Sequence, residues 1–306
     1  MSKFHKAIKA AIAICFGLAL WQPDSSAQTL PQLDAVIQPS VLFDTNTALF
    51  VYQYTIKNGS DSTGNVDDLA IDIARSSTSV DLSSQGLYIP AGKNNTRMIP
   101  FDQALNPGTT VQLVPIGIQN PPSHWIVGIS VTGLAGWGAG TGASTILSGQ
   151  TMDGFTILSR GVPAIRNARL EPEFVFTSAG DEAGDSDFTQ AAKTEEKISA
   201  YSQVVGPDAP ASLAPGDLIS RLASLKHAAA ALGWIAGPGA DGIIQSLDAK
   251  LDAANSSVAS GDGKTAANQI NAFINEVQAQ RGKHVNDNAY YLLTANAQYI
   301  LTRLGP

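Results

Sequence analysis

The sequence predicts two domains, an all-β antiparallel sandwich followed by an all-α helical bundle. Three observations predict this order. Apolar residues alternate with a period of two from about residue 36 to residue 176, and after Asp217 they recur every three or four positions. Between these halves lies an acidic stretch rich in Gly and Pro that breaks both rhythms. The organisation read from the chain is therefore a leader over 1–27, a sandwich over 36–176, a linker with room for a short helix over 177–216, and a helical module over 217–306.

The first segment, MSKFHKAIKAAIAICFGLALWQPDSSAQT, has the layout of a secretory signal peptide. Lys3, Lys6 and Lys9 precede an apolar run from Ala10 to Trp21, and Ser25-Ser26-Ala27 offers a small-residue cleavage site. The apolar run falls short of the roughly 20 residues a bilayer requires. Cleavage after Ala27 would remove Cys15, the only cysteine, so the exported chain would rely on burial rather than disulfides. Roughly 280 remaining residues suffice for two ordinary cores. Extracellular or periplasmic residence is expected, with no membrane span in the mature chain.

The net charge is −7, and more negative without the three leader lysines. Nucleic-acid binding is driven mainly by basic side chains displacing counterions, so that class of partner is excluded. A polysaccharide, an envelope component or a protein fits better.

In LFVYQYTIKNGSD, Phe50, Tyr52, Tyr54 and Ile56 share one face, and Asn58-Gly59 ends the run. Further strands are expected at 69–74, 109–118, 125–132 and 155–159, with Pro107-Gly108 and Pro121-Pro122 as punctuation. Many short strands without intervening helices argue for two packed antiparallel sheets. LSGQTMDGFTILSRGVPAIRNARLEPEF supplies a late strand pair, and GWGAGTGAS, residues 136–144, reads as a loop between strands.

GDEAGDSD and GPDAPASLAPG mark the connector. Asp217 then reads as the cap of a helix with the stripe Leu218, Leu222 and Leu225. GPGADG makes a turn, and Ile243, Leu247, Leu251 and Ala254 form a second stripe. Gly261-Asp262-Gly263 reads as a pliable break before Ile270, Phe273, Ile274 and Val277. Gly282 sits where a left-handed cap is favoured, and Tyr290, Leu293, Ile300 and Leu304 complete the pattern. Four such helices on short loops should pack as a small bundle. Leu247, Leu251, Phe273, Ile274 and Val277 are its expected core.

Ser246-Leu247-Asp248-Ala249-Lys250-Leu251, Asn271-Ala272-Phe273-Ile274-Asn275, Val277-Gln278-Ala279-Gln280 and Gly282-Lys283 together resemble the FIMAH domain over about residues 217–304. That resemblance implies a helical accessory module of exported bacterial proteins, widely associated with catalytic domains and bringing no active site of its own. The N-terminal half resembles, more loosely, the immunoglobulin-like sandwiches of exported bacterial proteins.

Signatures of chemistry are sparse. His124, His227 and His284 lie outside any metal-protease helix pattern, and a Gly-x-Ser-x-Gly elbow is missing. Asp61, Asp67 and Asp68 make an oxygen-rich segment of the kind calcium selects, and Asp181, Glu182, Asp185 and Asp187 form another acidic run, although solvated turn residues are the plainer account of both. Trp137, in the Gly-rich stretch, and Trp125 are the candidates for ligand contact, against a packing role for both. A non-catalytic binding or adhesion protein is the expected function. The alternatives are a secreted hydrolase using sandwich carboxylates or serines, and an assembly protein acting through a sheet edge.

Overall fold

The computed structural model describes residues 30–74, 88–90, 96–98, 114, 116–119, 121–129, 133–140, 144–173 and 197–304. The leader with Cys15, residues 109–113 of the strand expected at 109–118, and the acidic run 181–187 lie outside the described residues; the end of that expected strand falls in a strand over 116–119.

Two antiparallel sheets face one another. The first has the order β1-β2-β9-β6, from β1 (Ala35–Asp44), β2 (Leu49–Asn58), β9 (Thr151–Ser159) and β6 (Ile116–Gln119). The second has the order β11-β10-β3-β8-β7, from β11 (Ala200–Asp208), β10 (Val162–Pro172), β3 (Val66–Asp72), β8 (Leu134–Ala139) and β7 (Trp125–Ile129). A separate pair joins β4 (Tyr88–Pro90) to β5 (Thr96–Met98).

The period-two reading of β2 places its aromatic face correctly: Phe50, Tyr52, Tyr54 and Ile56 are all enclosed. They meet Leu69 and Ile71 of β3, Trp137 of β8 and Phe155 and Ile157 of β9 in one core. Buried hydroxyls need acceptors, and here they stitch the layers together. Tyr52 donates to Gly161 O at 2.7 Å and Tyr54 donates to Val205 O at 3.0 Å.

Three expectations about the strands are corrected. Residues 136–138 belong to β8 rather than to a loop, because Trp137 fills the core and its flanking glycines fit the ladder opposite Ala70 and Asp68. The late strands β9 and β10 do not pair with each other; the chain crosses from one sheet to the other at Arg160-Gly161. The segment assigned to a linker contains β11, which pairs with β10 from Val162↔Asp208 to Leu170↔Ala200. Its Tyr, Val and Val were masked by the prolines and acidic residues on either side.

Four helices follow: α1 (Pro215–Ala231), α2 (Ala240–Ala259), α3 (Gly263–Gln280) and α4 (Asp287–Arg303). Pro215 occupies the first turn of α1, where a missing N–H costs nothing, so Asp217 lies inside the helix and accepts from Ser212 rather than capping it. Asp262 makes the break before α3 a defined cap, accepting from Thr265 N at 2.9 Å. Asn286 caps α4 in the same way through Ala289 N. Leu247, Leu251, Phe273, Ile274 and Val277 are all buried, as their spacing requires. Residues 31–306 cluster as one compact unit, so the helical module is joined to the sandwich.

Candidate functional site

A buried polar network lies on the seam between sandwich and helices. β10 and β11 pair Pro163 with Pro207. Proline has no N–H to give a ladder, so both carbonyls must find donors elsewhere. Arg166 Nε donates to Pro207 O at 2.8 Å. Pro163 O receives Arg221 Nη1 from α1 at 2.9 Å and Asn296 Nδ2 from α4 at 3.0 Å.

Asp208, the last residue of β11, joins the two arginines. Its Oδ1 takes Arg166 Nη2 at 2.8 Å and its Oδ2 takes Arg221 Nη2 at 3.0 Å. Arg166 Nη1 also donates to Ala74 O at 2.8 Å, and Asp72 Oδ2 lies 3.9 Å from that nitrogen. Gly206 makes this approach feasible, since a β-carbon there would stand 2.9 Å from the Arg166 stem. Arg166 and Asp72 are fully enclosed, and Asp208 and Arg221 nearly so.

Burial dominates the electrostatics. It pushes the Asp72 carboxyl above the ordinary carboxylate range, against the pull of Arg166 and the Ala74 N–H. It lowers the Arg221 guanidinium, with Asp208 opposing. Arginine nonetheless stays charged in protein interiors. The guanidinium donors are spent on fixed carbonyls and one shared carboxylate, an arrangement that fastens two elements together and gives no group the freedom to move a proton.

An aromatic contact completes the seam. Tyr299 of α4 meets Phe43 of β1 and Phe50 of β2 edge-on, with centroids 5.1 and 5.4 Å apart.

Within the module, other clusters tie helix to helix. Lys226 Nζ bonds Asp248 Oδ1 at 2.6 Å and Ile244 O at 3.2 Å, beside His227 Nε2. Ser246, Lys250 and Glu276 form a closed triangle between α2 and α3, with Lys250 2.6 Å from Glu276. Lys250 Nζ donates to Ser246 Oγ at 2.9 Å and Ser246 Oγ donates to Glu276 Oε2 at 2.9 Å, so the three side chains hold α2 to α3. Arg281 binds Asp287 Oδ1 at 2.8 Å and stacks on Tyr290, with His284 Nδ1 3.2 Å from Ala236 O. Arg281 therefore fixes the corner from α3 to α4, and His284 lies against the turn before α2.

Trp125 and Trp137 sit in the core, so neither offers a ring face to a ligand. Trp137 meets Tyr54 and Phe155, and Trp125 meets Phe155 and donates from Nε1 to Ser144 O at 3.0 Å. Asp61 lies in the turn after β2, whereas Asp67 and Asp68 are consecutive on β3 and alternate across it. Among the described residues no group of three or more His, Cys, Asp or Glu is placed to hold a metal ion. His124 is exposed in a turn with φ of 66°.

Sequence reasoning missed Arg166, Asp208, Arg221 and Asn296. A signal existed: Arg221 falls on the apolar stripe of Leu218, Leu222 and Leu225, where a charge must find a buried partner. Asp208 carried none, because GPDAP reads as connector.

The chain is thus a two-sheet sandwich with a four-helix module locked to its edge. Residues 219–302, spanning most of α1 through α4, match the family model of the FIMAH domain, and the chain carries that domain at its C-terminal end. No curated protein matches the chain.

Proposed function

We propose that this is an exported, non-catalytic binding protein whose β-sandwich presents the recognition surface and whose FIMAH domain is a fixed accessory. The observation that carries this reading is how the reactive side-chain types are used: Arg166, Asp208, Arg221, Lys226, Ser246 and Glu276 serve packing contacts between elements. Export is supported by the leader pattern and by the FIMAH match. Among the described residues no helix is long and apolar enough to cross a membrane.

The test is retention of the purified mature protein on insoluble polysaccharides and envelope fractions, run beside glycoside, ester and peptide hydrolysis assays. Saturable retention without turnover is expected. Turnover abolished by replacing a single sandwich carboxylate or serine would establish the hydrolase instead.

A second reading, assembly through a sheet edge, is favoured by β7. Among the described residues this strand ends its sheet, and it exposes Ile126 and Val127, with Ile126 61% accessible. Under that reading Ile126→Lys lowers the assembly state seen by light scattering.

A further inference from the structure

We propose that the FIMAH domain acts in this chain as an edge guard: α4 and α1 occupy the side of the sandwich where β1 and β11 end their sheets, withholding those strands from other chains. A strand that ends a sheet presents unpaired N–H and C=O groups, and such edges recruit further strands unless something covers them.

Among the described residues β1 ends one sheet and β11 ends the other, and the two strands approach each other on the same side of the sandwich. α4 packs along β1 and reaches β10 and β11. The outward-facing side chains Val36 and Leu42 of β1 remain exposed, so the helix lies beside the strand and not over its outer face. Tyr299 seals one end of this contact on Phe43 and Phe50. At the other end Arg221 and Asn296 take the Pro163 carbonyl that no strand can satisfy, and Asp208 holds Arg221 against Arg166.

Proline supplements the guard. Pro39 lies within β1, opposite Tyr54, and removes one edge donor outright. The opposite ends of the two sheets, β6 and β7, lie away from this contact. The domain thus covers one side of the sandwich selectively, a role separate from ligand recognition.

Hydrogen exchange read by mass spectrometry on the full mature chain tests the proposal, comparing Arg221→Met and Tyr299→Ala with the parent. Expected is exchange about 10-fold faster or more across 35–44 and 200–208, with 240–280 unchanged, together with concentration-dependent self-association. The proposal is overturned if exchange in α1 and α4 rises while the two strands keep their protection. Freed strands that stay monomeric at every concentration tested would overturn it as well.

Should either variant fail to fold, the parent protein decides the matter in graded urea. Amides of α1, α4, β1 and β11 merging into one opening event support the guard. Helices that open while the strands remain closed refute it.

Discussion

Phe273 and Asp72 show how differently two fully enclosed side chains act on stability. Phe273 is apolar and lies in the core shared with Leu247, Leu251 and Val277. Truncation to alanine removes its burial and leaves a cavity, so Phe273→Ala should cost about 3 to 5 kcal/mol, read as a lowered urea midpoint followed by helical circular dichroism. An unchanged midpoint would show that the side chain is not packed. Asp72 ionises less readily in the folded chain than in the unfolded one. Its stabilising contribution is therefore full below the ordinary value of 3.8 and fades as the pH climbs through the raised folded value. Asp72→Asn should match the parent in acid and exceed it in stability near neutrality, read as a higher urea midpoint at pH 7 only. A variant weaker than the parent at pH 7 would mean that the charge is needed by Arg166. The Phe273 environment was legible in the sequence because helical spacing alone fixes which residues share a face. That of Asp72 was not, since its partner Arg166 comes from a strand far away in the chain.

At the scale of elements, the corners carry the information. Gly282 adopts φ of 75°, which L side chains enter at a cost, and the corner it makes positions Arg281 over Tyr290. Gly282→Ala should destabilise the chain by about 1 to 2 kcal/mol, measured as a shift in melting temperature. Little or no shift would mean that the corner adapts. Here the sequence was a good guide to Gly282, because a left-handed turn is a local requirement, but not to the caps: Asp217 read as one and lies inside α1, whereas Asp262 and Asn286 cap α3 and α4. The strands fared unevenly for the same reason. β2 declared itself through strict alternation, whereas β11 was hidden by prolines that suit an edge strand and a connector equally well. Which strands pair is a long-range outcome, so the crossing at Arg160-Gly161 left no local mark.

For the whole molecule, the seam decides how the two halves respond to their surroundings. Its ion pairs are enclosed, with Arg166 at 0% and Asp208 at 8% side-chain exposure, so mobile salt screens them poorly. Raising sodium chloride from about 0.05 to 0.5 M should leave a single calorimetric transition nearly unmoved. Separation into two transitions would show that the halves are held by exposed charge instead. Fold class was readable from the two periods, and the helical family from its own residues. The union of the halves was not, because it rests on long-range contacts: four polar side chains from β10, β11, α1 and α4, and Tyr299 of α4 against Phe43 and Phe50.

The facing prolines at 163 and 207 carry a practical consequence. A fragment stopped after Asp208 would keep its layers yet expose an unfinished rim, with an acid deprived of its second counterion and a carbonyl left to water. Such a truncated product should be sticky and poorly soluble, and the helices would then serve the making of the protein as well as its finished form.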